Sequence, residues 1–234
     1  MADFLAKVSN DCPLLNSETY RNVYSNFKNE LLTLQEVNKA VTTSKIPNGL
    51  SPTDFPRQII SKFNSFFSVP LHKIYNCSLK TNVYPDVWKI ENVTLIPKCK
   101  APENVNDLRP ISLTPHYSKV FEGILRNRIL NDIGSGLDKK QYGTKGGRVE
   151  YCLMDMINEI LATGDMSEQS YSILFSLDFS KAFNRFSHPK ILAALIKLGL
   201  RRSLIPLVAS YLQNRSLVVR WKESFSKAFQ TDIS

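Results

Sequence analysis

Residues Tyr171 to Phe186, YSILFSLDFSKAFNRF, constrain the fold more than any other stretch of the chain. The apolar run from Ile173 to Leu177 stops at a single carboxylate, Asp178, and Ala182 and Phe183 follow. A run of this length without alternation reads as a strand buried on both faces. A strand that ends in a carboxylate delivers a charge to the edge of a core, a good place for a metal. Mg²⁺ takes oxygen ligands and is held by one or two carboxylates together with substrate phosphates. The alternative reading is that Asp178 caps the helical turn after it.

The rest of the chain has the material for a core around that strand. It has 234 residues, 43% of them hydrophobic, which suffices for one large domain or two small ones. Net charge is +9, and the basic excess lies in residues 51–150 and 201–234, while 151–200 is slightly acidic. That distribution suits a protein that holds a polyanion on its flanks and a cation at its centre; a generic basic surface would give the same count. Cys12, Cys77, Cys99 and Cys152 show no Cys-x-x-Cys spacing and the three His are scattered, so no zinc site is readable and buried free thiols are expected. The N-terminus lacks the pattern of a signal peptide, and no run of apolar residues is long enough to span a membrane.

Residues 17–44 read as helical, with Tyr20, Val23, Tyr24 and Phe27 on one face. Thr33 and Glu36 have capping-box spacing for a second helix whose apolar positions are Val37 and Val41. Residues 55–67 and 69–80 read as two helices punctuated by Pro70. Their Phe63, Phe66, Phe67, Leu71, Ile74 and Tyr75 are expected in the core rather than as a stacking platform. Residues 83–98 run from a turn into a strand, a polar loop follows at 99–107, and a second short strand spans Leu108 to Leu113, which together make a hairpin. Pro115 opens a helix with Val120, Ile124, Leu125 and Ile129 as its stripe. The loop QYGTKGGR (141–148) combines glycines with cations but lacks Walker spacing. Helices are expected from Val149 to Ala162, after Ser187 and after Ser203, and LVVRW with SFSKAF reads as a final hairpin.

Three segments carry a resemblance to a known family. Asp-x-x-x-Ala-Phe at 178–183 resembles the first catalytic motif of reverse transcriptases, and FSLDFSKAFNRFSHPKIL is similar to its form in non-LTR retrotransposons. NDLRPISLTPHYSKVFE (106–122) resembles the Arg-Pro-Ile-Ser segment of the fingers, and QYGTKGGRVEYCL (141–153) the Gln-Tyr/Phe-Gly segment after it. The three stand in the family's order at similar spacing, and the likeness covers residues 35–234. Two departures stand out. Asn184 replaces a common Asp that is not a metal ligand in the family. Lys145 replaces a common Arg, keeping the charge and losing the planar fork.

The resemblance implies an α+β fold of the right-hand polymerase type. Residues 1–34 would be an N-terminal helical or linker segment, 35–165 the fingers, and 166–234 part of the palm. It implies an RNA-directed DNA polymerase that takes an RNA template, a DNA primer and deoxynucleoside triphosphates, with Mg²⁺ or Mn²⁺ as cofactor and no membrane partner, in the nucleus. Asp178 would bind both metals with help from the Phe179 carbonyl. Lys98, Arg109 and Lys145 would hold phosphates along with backbone amides near Lys181 and Ala182, and Phe183 would lie under the sugar. Lys98 and Arg109 would stand on the two limbs of the 83–113 hairpin, the fingertip of such enzymes. Arg suits a triphosphate as a fork and Lys as a point charge. The chain has no Asp-Asp pair, so the other carboxylates of the family's site are not in it. It is expected to be a fragment that does not polymerise by itself; the alternative is a non-catalytic nucleic-acid-binding remnant.

Overall fold

The computed structural model describes residues 16–47, 49–138, 140–143, 149–164, 171–178, 187–221 and 224–231. It is a mixed α+β structure that combines a helical core with a small mixed sheet.

The chain enters through helix α1 (Ser17–Val23), capped by the Asn16 side chain, and α2 (Leu34–Thr43). The capping box at α2 forms as its spacing predicts. Glu36 N–H donates to Thr33 Oγ1 at 3.2 Å, and Thr33 N–H donates back to Glu36 Oε2 at 2.7 Å. Val37 and Val41 are fully buried on the opposite side of that helix. Helix α3 (Arg57–Phe63) passes through a 3₁₀ turn, Asn64–Phe67, into α4 (Ser68–Thr81). Pro70 sits in the first turn of α4, where its missing N–H costs nothing. Asn82 ends α4 in the left-handed conformation at φ 55° and accepts from Asn29 Nδ2 at 2.8 Å.

The core is organised on aromatic rings from elements far apart in sequence. Tyr75 of α4 stacks on Phe121 of α5 (His116–Ile133), with centroids 4.6 Å apart and planes 7° from parallel. Tyr84 stacks on the same ring, and Trp88 meets Tyr75 and Tyr84 edge-on. Buried phenols need partners. Tyr75 donates to the Tyr117 carbonyl at 2.8 Å, and the Tyr84 hydroxyl pairs with Ser118 Oγ at 2.9 Å and donates to Glu122. Burial, with the Glu122 charge nearby, pushes the Tyr84 hydroxyl well above the usual tyrosine range. Helices α7 (His188–Lys197) and α8 (Ile205–Leu212) close the core with Leu192, Leu204 and Leu207. Gly199, at φ 97°, makes the turn between them.

In the sheet, β1 (Ile90–Pro97) pairs antiparallel with β2 (Leu108–Leu113) and parallel with β3 (Arg215–Trp221). On the other edge of β3 lie β4 (Ser224–Phe225) and β5 (Phe229–Thr231). The expected strand SFSKAF is thus interrupted. Arg220 faces Phe225 but Leu217 faces Phe229, so the register slips by one residue, as in a bulge. Ser226 occupies the slip, bonding Val219 through both its N–H and its hydroxyl.

Three expectations need correction. Phe63, Phe66 and Ile74 are exposed rather than core: α3 turns Ile60 inward and leaves Phe63 and, past its end, Phe66 to solvent, while α4 turns Leu71 and Tyr75 inward and leaves Ile74 outside. Cys77, Cys99 and Cys152 are free as expected, but they lie on the surface. The stretch 171–178 is neither strand nor buried, and Phe175 and Leu177 are 83% and 88% exposed. A strand exists only through the hydrogen bonds of a partner, and no described strand pairs with this stretch. Helix α6 (Val149–Gly164) runs next to this stretch and likewise exposes Tyr151, Met154, Ile157 and Leu161.

Candidate functional site

The β1–β2 hairpin forms where the sequence places it, and its register decides which side chains share a face. Ile96 lies opposite Arg109 and Thr94 opposite Ile111. The Lys98 N–H donates to the Asp107 carbonyl at 2.7 Å, which continues the ladder one step past Pro97. Side chains alternate along a strand, so Lys98, two residues beyond Ile96, falls on the face that carries Arg109. The register thus sets one cation from each limb on the same face of the hairpin end.

The loop between the limbs is organised by Asp107. Its Oδ2 accepts from the N–H groups of Asn104 at 2.9 Å and Glu103 at 3.1 Å, closing a 3₁₀ turn at Val105–Asp107. The loop is therefore shaped by its own hydrogen bonds. Beyond the sheet the hairpin stands in solvent. Arg109, Pro110, Ile111 and Ser112 are all exposed, and so are Ile96, Pro97 and Lys98. Pro110 is tolerated because β2 is an edge strand and needs no N–H on its outer side. Two exposed apolar side chains, Ile96 and Ile111, flank the cations on the same face. Such a surface can take a phosphate group on Lys98 and Arg109 while a flat apolar group rests beside them.

Asp178 is exposed at the end of the apolar stretch 171–177. Among the described residues no group of three or more His, Cys, Asp or Glu side chains stands close enough to hold a metal ion. Lys145, Phe179, Lys181, Ala182 and Phe183 lie outside the described residues. The register thus sets Lys98 and Arg109 on one face of the hairpin, and among the described residues Asp178 belongs to no group of three or more metal-ligating side chains.

Sequence reasoning missed the polar interior behind the hairpin. Glu91, at the root of β1, accepts from Arg215 Nε at 2.8 Å, and both side chains are buried. The Arg215 guanidinium lies 4.8 Å from the Tyr211 ring centroid and donates to the Tyr211 carbonyl at 3.2 Å. His188 is buried beside it, and burial together with the Arg215 charge pulls the imidazole down to about 4. No local pattern joins residues 124 positions apart, so only the fold reveals the pair.

No family model matches the chain. Among curated proteins it is 29% identical over 151 residues to the RNA-directed DNA polymerase from mobile element jockey of Drosophila melanogaster, a match covering 62% of this chain and 16% of that protein. It is 29% identical over 204 residues to the probable RNA-directed DNA polymerase from transposon X-element of the same fly, covering 84% of this chain and 21% of the relative. The probable RNA-directed DNA polymerase from transposon BS is 31% identical over 159 residues, 65% of this chain and 17% of that protein. The chain thus spans 16–21% of the length of these relatives. On these matches the chain is a homologue of the RNA-directed DNA polymerases of non-LTR retrotransposons.

Proposed function

We propose that this chain is the nucleotide-holding part of an RNA-directed DNA polymerase from a non-LTR retrotransposon. Its fold would be the fingers, residues 35–165, and the first part of the palm, residues 166–234, of a right-hand polymerase, preceded by a helical segment over 1–34. The observation that carries the proposal is the hairpin whose register sets Lys98 and Arg109 on one exposed face. In the whole enzyme these two side chains would hold the triphosphate of an incoming deoxynucleotide opposite an RNA template, with Lys145 and the amides near Lys181 and Ala182 as further phosphate donors. Phosphoryl transfer depends mostly on such positioning and charge neutralisation.

Polymerases of this kind use two divalent ions to clamp the attacking and leaving oxygens, which takes about three carboxylates. The described residues do not supply that set around Asp178, so they do not by themselves fit the pair of ions. In the whole enzyme Asp178 and the Phe179 carbonyl would give part of the ligand set, and residues outside this chain the rest. Phe183 would lie under the deoxyribose.

The role of the hairpin is tested in a chimaera in which this chain replaces the matched segment of the jockey polymerase. Arg109→Ala should raise the KM for deoxynucleotides about tenfold or more and leave primer–template affinity unchanged. An unchanged KM would remove Arg109 from the triphosphate site.

A further inference from the structure

The helical side of the molecule carries an aromatic surface that the hairpin reading does not use. Ile59, Phe63 and Phe66 follow at helical spacing along α3 and the 3₁₀ turn and share one face. The opposite face is anchored. Ile60 is fully buried, and Asn64 Nδ2 donates to the Val41 carbonyl at 2.7 Å. The aromatic face therefore cannot roll inward without breaking that anchor. Phe66 is 75% exposed and Phe63 42%, with their rings edge-to-face at 6.1 Å. Lys62 Nζ lies 5.5 Å from the centre of the Phe63 ring. Phe55, also exposed, packs at 5.2 Å on Phe67, which rests on Tyr117. A second run of rings, Phe55–Phe67–Tyr117, thus leads from the same segment into the core.

Exposed apolar patches of this kind mark binding surfaces. The charge around this one selects the ligand. Between Asp54 and Asp86 there is no Asp or Glu, whereas Arg57, Lys62, Lys73 and Lys80 all fall in that interval. A segment that combines exposed stacking rings with cations and itself carries no acid suits a strand of nucleic acid whose bases are free. Every base has a π-face for the rings, and the phosphates take the cations. A duplex keeps its bases stacked on one another and cannot offer them.

We infer that Phe63 and Phe66, with Lys62, form a stacking platform for single-stranded nucleic acid. The inference rests on the polymerase reading only for the source of that strand, which would be the unpaired RNA next to the copied region.

Fluorescence anisotropy with the full chain, a labelled oligouridylate and a labelled RNA duplex tests it. The wild type should prefer the single strand, and Phe63→Ala with Phe66→Ala should weaken single-strand binding about tenfold or more. Phe66→Trp should retain affinity. Lys62→Gln should reduce the slope of log K against log salt by about 0.7. Circular dichroism should match the wild type for each variant, since the replaced side chains are exposed. If the alanine variant binds the oligouridylate as tightly as wild type, the platform is wrong while the polymerase reading stands. Equal weakening on single strand and duplex also overturns it. So does a change of oligomeric state with unchanged RNA affinity, which would make the patch a protein contact. A wild-type chain that binds no nucleic acid would overturn the platform and count against the polymerase reading as well.

Discussion

Arg215 donates to Glu91 across the parallel pair of β1 and β3, joining residues 124 positions apart at the root of the candidate nucleotide-binding hairpin. Both groups are withdrawn from water, so each needs the other. Their position ties the strand that carries Lys98 to the strand that follows α8. The hairpin end is held by its own loop, and its base by this ion pair.

Removing one partner leaves the other charged and buried. Glu91→Ala should lower stability by about 3–5 kcal/mol in urea unfolding. Glu91→Met combined with Arg215→Met should recover most of that loss, because two apolar side chains replace two desolvated charges. A single-variant loss below about 1 kcal/mol would show that the pair is not the clamp described.

Acid should weaken the fold through His188. The unfolded chain takes up a proton on this imidazole near 6.5, whereas the folded chain resists it down to about 4. Between those values the unfolded state binds more protons, so stability is complete above about 6.5 and falls as pH drops through the window. The loss should reach up to about 3 kcal/mol. His116, also depressed, chiefly by its burial, contributes in the same direction. The group facing His188 is Arg215, held by Glu91, and the Leu212 carbonyl bonds the ring. Urea midpoints at neutral pH and near pH 5 check this. His188→Gln should flatten the decline, and an unchanged decline would assign it elsewhere.

What could be read from sequence was local. Thr33 and Glu36 are three residues apart and cap α2 as their spacing says. The hairpin was legible because a polar loop separates two apolar runs and antiparallel pairing follows from a short connection. Phe63 and Phe66 were misjudged because apolar character alone does not say which face of a helix the core will take, and Ile60 took it. The stretch Ile173–Leu177 has a strand's composition, but a strand is a relation between segments, and no described strand pairs with it. Glu91 and Arg215 carry no mutual signal in sequence at all.

Phe183 offers a prediction on substrate choice in the chimaeric polymerase. A ring under the sugar has no room for a 2′-hydroxyl and no partner for it. Phe183→Val should raise kcat/KM for ribonucleotides sharply and leave deoxynucleotide use largely intact. If both fall alike and stability drops by roughly 1–3 kcal/mol, the ring serves packing instead.

The role of Asp178 is measured most directly by template-dependent primer extension with the chimaera that carries this chain in place of the matched jockey segment, with Mg²⁺ present. The parent should synthesise DNA on an RNA template, and Asp178→Ala should lose at least about a thousandfold in kcat at unchanged primer–template affinity. Extension by the Asp178→Ala chimaera at the parent's rate would contradict that role.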